Sequence, residues 1–122
     1  MNKYRDKSDF EINKAVAVNI NGADDVVEKF GRIYISDSDA MVSFDPCNNP
    51  ADAMPIVLGN RIDIRLMGCS EVRKRYWVEY AATAFDETDG GEIITVFTSP
   101  NKNIYRAAME VFLMMKEAEN EK

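Results

Sequence analysis

The strongest constraint on this chain is a change of hydrophobic period along its length. Towards both ends, apolar residues recur three and four apart, whereas between Arg61 and Thr98 they alternate with polar ones. The first spacing gathers apolar side chains on one face of a helix, and the second gathers them on one side of a strand. Helical segments flanking a run of strands read as an α+β fold, with helices packed on an antiparallel sheet.

The alternating part is specific enough to divide. In RIDIRLM (61–67), Ile62, Ile64 and Leu66 alternate with Arg61, Asp63 and Arg65. YWVEYAATA (76–84) and EIITVFT (92–98) are rich in aromatic and β-branched residues, and the DETDGG between them holds the Asp89-Gly90 pair favoured in tight hairpins. These runs predict a small antiparallel sheet of about three strands, at 61–67, 76–84 and 92–98. The polar GCSEVRKR between the first two predicts a loop projecting from one end of the sheet.

Three helices are predicted to pack on it. SDFEINKAVAVNI gives a helix over 8–20, with Ser8 and Glu11 forming a capping box, Ile12, Ala15, Val16 and Ile20 on one face, and Asn21-Gly22 as the stop. In NPADAMPIVLGN, Asn49 is a favoured N-cap, Pro50 suits the first turn, and Asp52 complements the positive end of the helix dipole, so residues 50–58 should be helical. Pro55 should shorten or distort that helix, and Gly59-Asn60 should end it. Over 103–118, Ile104, Ala107, Ala108, Val111, Phe112 and Met115 keep three- and four-residue spacing, with Glu117 to Lys122 fraying beyond. Between Ala23 and Asp45 the pattern weakens, and RIYIS (32–36) and AMVSF (40–44) predict a peripheral hairpin at 32–44.

Composition narrows the chemistry. A chain of 122 residues suits a single domain, 1–122, large enough to bury one core without a disulfide. Cys47 and Cys69 lack the Cys-x-x-Cys spacing of a zinc or redox site, and no histidine is present to join them, so free thiols are expected. The missing histidine also removes Ser-His-Asp and Cys-His hydrolysis. Asp24, Asp25, Asp37 and Asp39 lack the glycine and terminal glutamate of a calcium loop, and neither a metal nor a cofactor is expected. The N-terminal MNKYRDKSDFEINK has no apolar core of a signal peptide, and the longest apolar run is far short of a membrane span, so a cytoplasmic protein with no membrane partner is expected.

Three features compete as sites. Arg61, Arg65, Arg73, Lys74 and Arg75, next to Tyr76 and Trp77, make a basic patch that could neutralise and stack on nucleic acid, but a net charge of −6 opposes a polyanion. Asp86, Glu87, Asp89 and Glu92 surround a glycine turn, a poor place to build the desolvated pocket that acid-base carboxylates need. Met109, Leu113 and Met114 widen the apolar arc of the last helix beyond one core face, which leaves room for a partner chain, a second copy of this one included.

SDFEINKAVA (8–17), CNNPADAMPIV (47–57) and NIYRAAMEVFLMMKEA (103–118), taken in this order and spacing, resemble the NinX-like family of small proteins of lambdoid phages and related prophages. The chain departs from that pattern at Met54, where the family tends to tryptophan, at Ile104, where it tends to proline, and over 21–45, which looks like extra sequence. The resemblance implies a phage accessory protein acting in the cytoplasm of the bacterial host. It carries no catalytic residue onto the chain, only the motif Asn48, Asn49, Pro50, Ala51 and Asp52. The expected function is therefore non-enzymatic binding of a host or phage protein through Asn48, Asn49, Asp52, Met109, Leu113 and Met114. The alternative is a nucleic-acid factor in phage replication or recombination, working through the basic patch.

Overall fold

Ser8 opens the first helix as the spacing predicts. In the computed structural model its hydroxyl accepts the Glu11 N–H at 3.2 Å, and the Glu11 carboxylate accepts the Ser8 N–H at 3.2 Å. The structure describes residues 3–37, 40–72, 75–86, 92–97 and 103–120. Helix α1 (Asp9–Asn21) is followed by a 3-10 turn and then by strands β1 (Val26–Lys29), β2 (Arg32–Asp37) and β3 (Ala40–Ser43). Helix α2 (Pro50–Gly59), strands β4 (Asp63–Val72), β5 (Arg75–Asp86) and β6 (Glu92–Phe97), and helix α3 (Ile104–Asn120) complete the order.

Among the described residues the strands form two antiparallel sheets, β1-β2-β3 and β4-β5-β6. The second is the sheet read from the alternating runs, and α3 packs on its β5 and β6. The predicted hairpin at 32–44 is present as β2 and β3, but it gains a third strand. Val26–Lys29 pairs with β2 although Glu28 and Lys29 are weak strand formers, because β2 and α1 supply the partners that local propensity lacks.

The predicted loop GCSEVRKR is corrected. Strand β4 continues to Val72, and Gly68 to Val72 pair with Glu79 to Arg75, so only positions 73 and 74 lie between the paired ends. An irregularity between Leu66 and Gly68 lets the ladder resume in a new register, as a bulge does. The expected start at Arg61 moves to Asp63, since Arg61 takes a left-handed φ of 55°.

Helix α2 runs unbroken through Pro55. The missing Pro55 N–H leaves the carbonyl of Ala51, an exposed residue, free to be met by water. The last helix is capped by Asn103, whose Oδ1 accepts the Arg106 N–H at 2.8 Å. It reaches Asn120 rather than fraying from Glu117, because Glu117 is held by Lys3 at 2.7 Å and by the Tyr4 hydroxyl at 3.1 Å.

The core joins Ile12 and Val16 of α1, Ala53, Ile56 and Val57 of α2, and Ala107 to Leu113 of α3, apart from Glu110, around Cys47 and Ile62. Helix α3 is covered on several sides, by α1, by α2 and by the second sheet. That explains its wide apolar arc without an outside partner: Met109 is 0% exposed and Leu113 2%, so both leave the expected binding surface. Among the described residues, no helix is long and apolar enough to cross a membrane.

Candidate functional site

Two charged residues lie inside this core. Arg106 is 4% exposed and Glu110 2%, one turn apart on α3 and on the same covered face as Met109 and Leu113. Burial of a guanidinium demands partners for its N–H groups, and Arg106 has them. Its Nε donates to Glu110 Oε2 at 3.1 Å and its Nη1 to Asp9 Oδ1 at 2.7 Å. Nη2 donates to the carbonyls of Tyr4 at 2.8 Å and Lys7 at 2.7 Å. Desolvation alone would lower the Arg106 pKa, but Asp9 and Glu110 outweigh it and raise it. The residue clasps the segment before α1 to α3.

The Cys-Asn-Asn-Pro stretch adjoins this clasp. Asn48 donates to Asp9 Oδ2 at 3.2 Å and to Asp45 Oδ1 at 3.1 Å, and it accepts from Asn103 at 3.3 Å. Asn13 donates to Asp45 at 2.7 Å and accepts the Cys47 N–H at 3.1 Å. Asn49 caps α2, accepting the Ala51 N–H at 3.0 Å, while Asp52 accepts the Asp45 N–H at 2.9 Å. The motif thus ties α1, α2 and α3 together, and its amides and carboxylates are engaged with one another.

Cys47 sits at the centre of this arrangement, fully buried. Burial pushes its thiol pKa up, the Asp9 carboxylate adds to the rise, and Arg106 only partly opposes it. A thiolate nucleophile requires the opposite surroundings. Among the described residues, no group of three or more His, Cys, Asp or Glu is placed to hold a metal ion.

Among the described residues, two recesses flank the network. A polar one of about 320 Å³ lies between Asp9 and Asn13 of α1, Arg32 and Ile33 of β2, and Asp45 and Asn48. A larger cleft of about 520 Å³ opens between the end of α1, α2 and α3. Phe44, Ile56 and Phe112 give it apolar walls, Ile20 and Pro55 lie along it, and Asn19, Asp52, Asn60 and Lys116 add polar groups. Ile20 follows the α1 stripe past the end of the core, and it is 46% exposed rather than packed.

Of the expected surface residues, Asn48 and Asn49 are exposed, and Asp52 is half-buried in the wall of the larger cleft. Met114 is half-buried against the core. Arg65 pairs with Ala81 and Arg75 with Val72, six positions apart along β5, or about 20 Å between the two backbone positions. Arg61 is exposed on the turn after α2. The side chains of Arg65 and Arg75, the residues Arg73 and Lys74, and the side chains of the expected acid set from Asp86 to Glu92 lie outside the described residues.

Sequence reasoning missed Arg106, Glu110, Asp9, Asn13 and Asp45. One signal was available: Arg106 and Glu110 stand at i,i+4 on the same helical face as Met109 and Leu113, so covering those methionine and leucine side chains also covers the ion pair.

No curated protein and no solved structure matches the chain. The family described as Bacteriophage P22, NinX does, over residues 3–116, a stretch that contains α1, the Cys-Asn-Asn-Pro motif and most of α3. The chain therefore belongs to the phage NinX family.

Proposed function

We propose that this NinX-family protein is a non-enzymatic phage accessory factor that binds a host or phage protein inside the bacterial cell. The observation that carries this reading is the cleft between α1, α2 and α3, about 520 Å³ in volume, with Phe44, Ile56 and Phe112 along its walls and polar groups beside them. Such a pattern suits a bulky apolar anchor from a partner, surrounded by a polar rim. The lack of histidine and the buried, proton-retaining Cys47 speak for binding rather than catalysis. The net charge of −6 speaks against nucleic acid as the first partner.

Affinity capture from phage-infected lysate, with and without nuclease, tests the proposal. A partner that survives nuclease and is lost with Ile20→Asp, while the melting temperature holds, is the expected result. Capture abolished by nuclease, or unaffected by Ile20→Asp, would transfer function elsewhere.

A further inference from the structure

The edge of the first sheet offers a second surface, read through the backbone. The Phe44 N–H donates to the Ile33 carbonyl at 2.9 Å, which sets the phase of the β2–β3 ladder. With Tyr34 opposite Ser43 and Ile35 opposite Val42, Ala40 and Val42 direct their N–H and C=O groups to β2. Met41 and Ser43 therefore direct theirs outward. Among the described residues nothing hydrogen-bonds to these four groups. The next outward position, Asp45, is already closed, since its N–H donates to Asp52 at 2.9 Å.

All four residues of β3 are exposed, with Met41 at 48% and Val42 at 56%. The sequence Ala-Met-Val-Ser has none of the lysine, proline or inward charge that commonly guards an edge. The opposite edge is guarded: β1 carries Glu28 and Lys29, Glu28 is paired with Lys14 of α1, and α1 packs on the strand. Val26, Ile35 and Val42 face one another across the sheet, so a fourth strand would extend an apolar row that ends in the open at Val42.

We propose that β3 accepts a fourth, antiparallel strand from an extended peptide segment of a partner protein, with an apolar residue opposite Val42 and lysine or arginine on its flanks. Backbone groups of Met41 and Ser43 supply the recognition, so the residues opposite them must not be proline. The charge preference follows from the net charge of −6. A second copy could also satisfy Met41 and Ser43 by pairing about Val42. It would bring two chains of that charge together along a four-residue edge, too short to bury the ~1,200 Å² of a stable dimer.

Nitrogen-15 NMR titration of the whole protein tests this with a short acetylated peptide of alternating threonine and valine, ended by lysines. Saturable shifts centred on the Met41 and Ser43 amides are expected, with loss of binding on Val42→Lys and on N-methylation of the peptide at the residues facing the edge. A glutamate-ended peptide should bind about tenfold more weakly. Shifts centred elsewhere, equal binding of the N-methylated or glutamate-ended peptide, or the same amides responding to protein concentration alone would overturn the proposal. The cleft substitution Ile20→Asp should leave this titration unchanged, which separates the edge from the cleft.

Discussion

Replacing Arg106 with methionine keeps most of the side-chain length and removes the charge, which isolates what the buried guanidinium does. Glu110, 2% exposed, then loses the Nε–H bond of 3.1 Å and the charge of the guanidinium beside it. Breaking a buried pair in this way costs about 3–5 kcal/mol. The contact to Asp9 adds little, because that carboxylate is 46% exposed and water replaces the lost donor. The carbonyls of Tyr4 and Lys7 lose charged donors at the protein margin, at about 1 kcal/mol each. A loss of about 5–7 kcal/mol is expected, a large part of the ~5–15 kcal/mol typical of a domain, with a fall in Tm of about 15–35 °C.

The double variant R106M/E110M should recover about half of that loss, since two apolar side chains fill the space of the pair while the clasp on residues 4–9 stays broken. Urea unfolding of the wild type, both single variants and the double variant gives the coupling directly, and hydrogen exchange should show residues 4–9 released in every variant lacking Arg106. An R106M loss below about 1 kcal/mol, or a double variant equal to the sum of the singles, would refute the clasp.

Asn49→Ala should cost about 1 kcal/mol by removing the cap on Ala51, read as a lower melting temperature; an unchanged melt with lost partner capture would make the motif a contact surface instead. Cys47 should resist a thiol reagent in the native state and react once the chain is unfolded in denaturant, and fast native labelling would contradict its burial. Because burial raises the Cys47 pKa, its stabilising effect is complete below the unfolded thiol value of about 8.5 and is lost above it, by up to about 1.4 kcal/mol per pH unit. Melts at pH 7 and at higher pH should therefore diverge in the wild type and less so in Cys47→Ala. Fluorescence anisotropy with labelled single- and double-stranded DNA and RNA should detect no low-micromolar binding at moderate salt; salt-sensitive binding abolished by joint replacement of Arg73, Lys74 and Arg75 with alanine would restore the nucleic-acid alternative.

What the sequence determined by itself was local. The Ser8–Glu11 box, the Asn49-Pro50 start and the spacing from Ile104 to Met115 each specify a helix through contacts within a few residues, and all three helices formed. The alternation in 61–67, 76–84 and 92–98 likewise marked the strands of the second sheet. Tertiary structure decided what depends on distant partners. Val26–Lys29 became a strand because β2 pairs with it, and Gly68 to Val72 became strand because β5 runs alongside. The site was less legible than the fold. Asn48, Asn49 and Asp52 were visible as a motif, but nothing local reveals that Arg106, 97 positions from Asp9, closes on it. A side chain's period tells which face it shares, whereas burial depends on what covers that face, and α3 is covered by α1, α2 and the second sheet at once. That covering turned Met109 and Leu113 from candidate contacts into core, and made the Arg106–Glu110 pair an internal clasp.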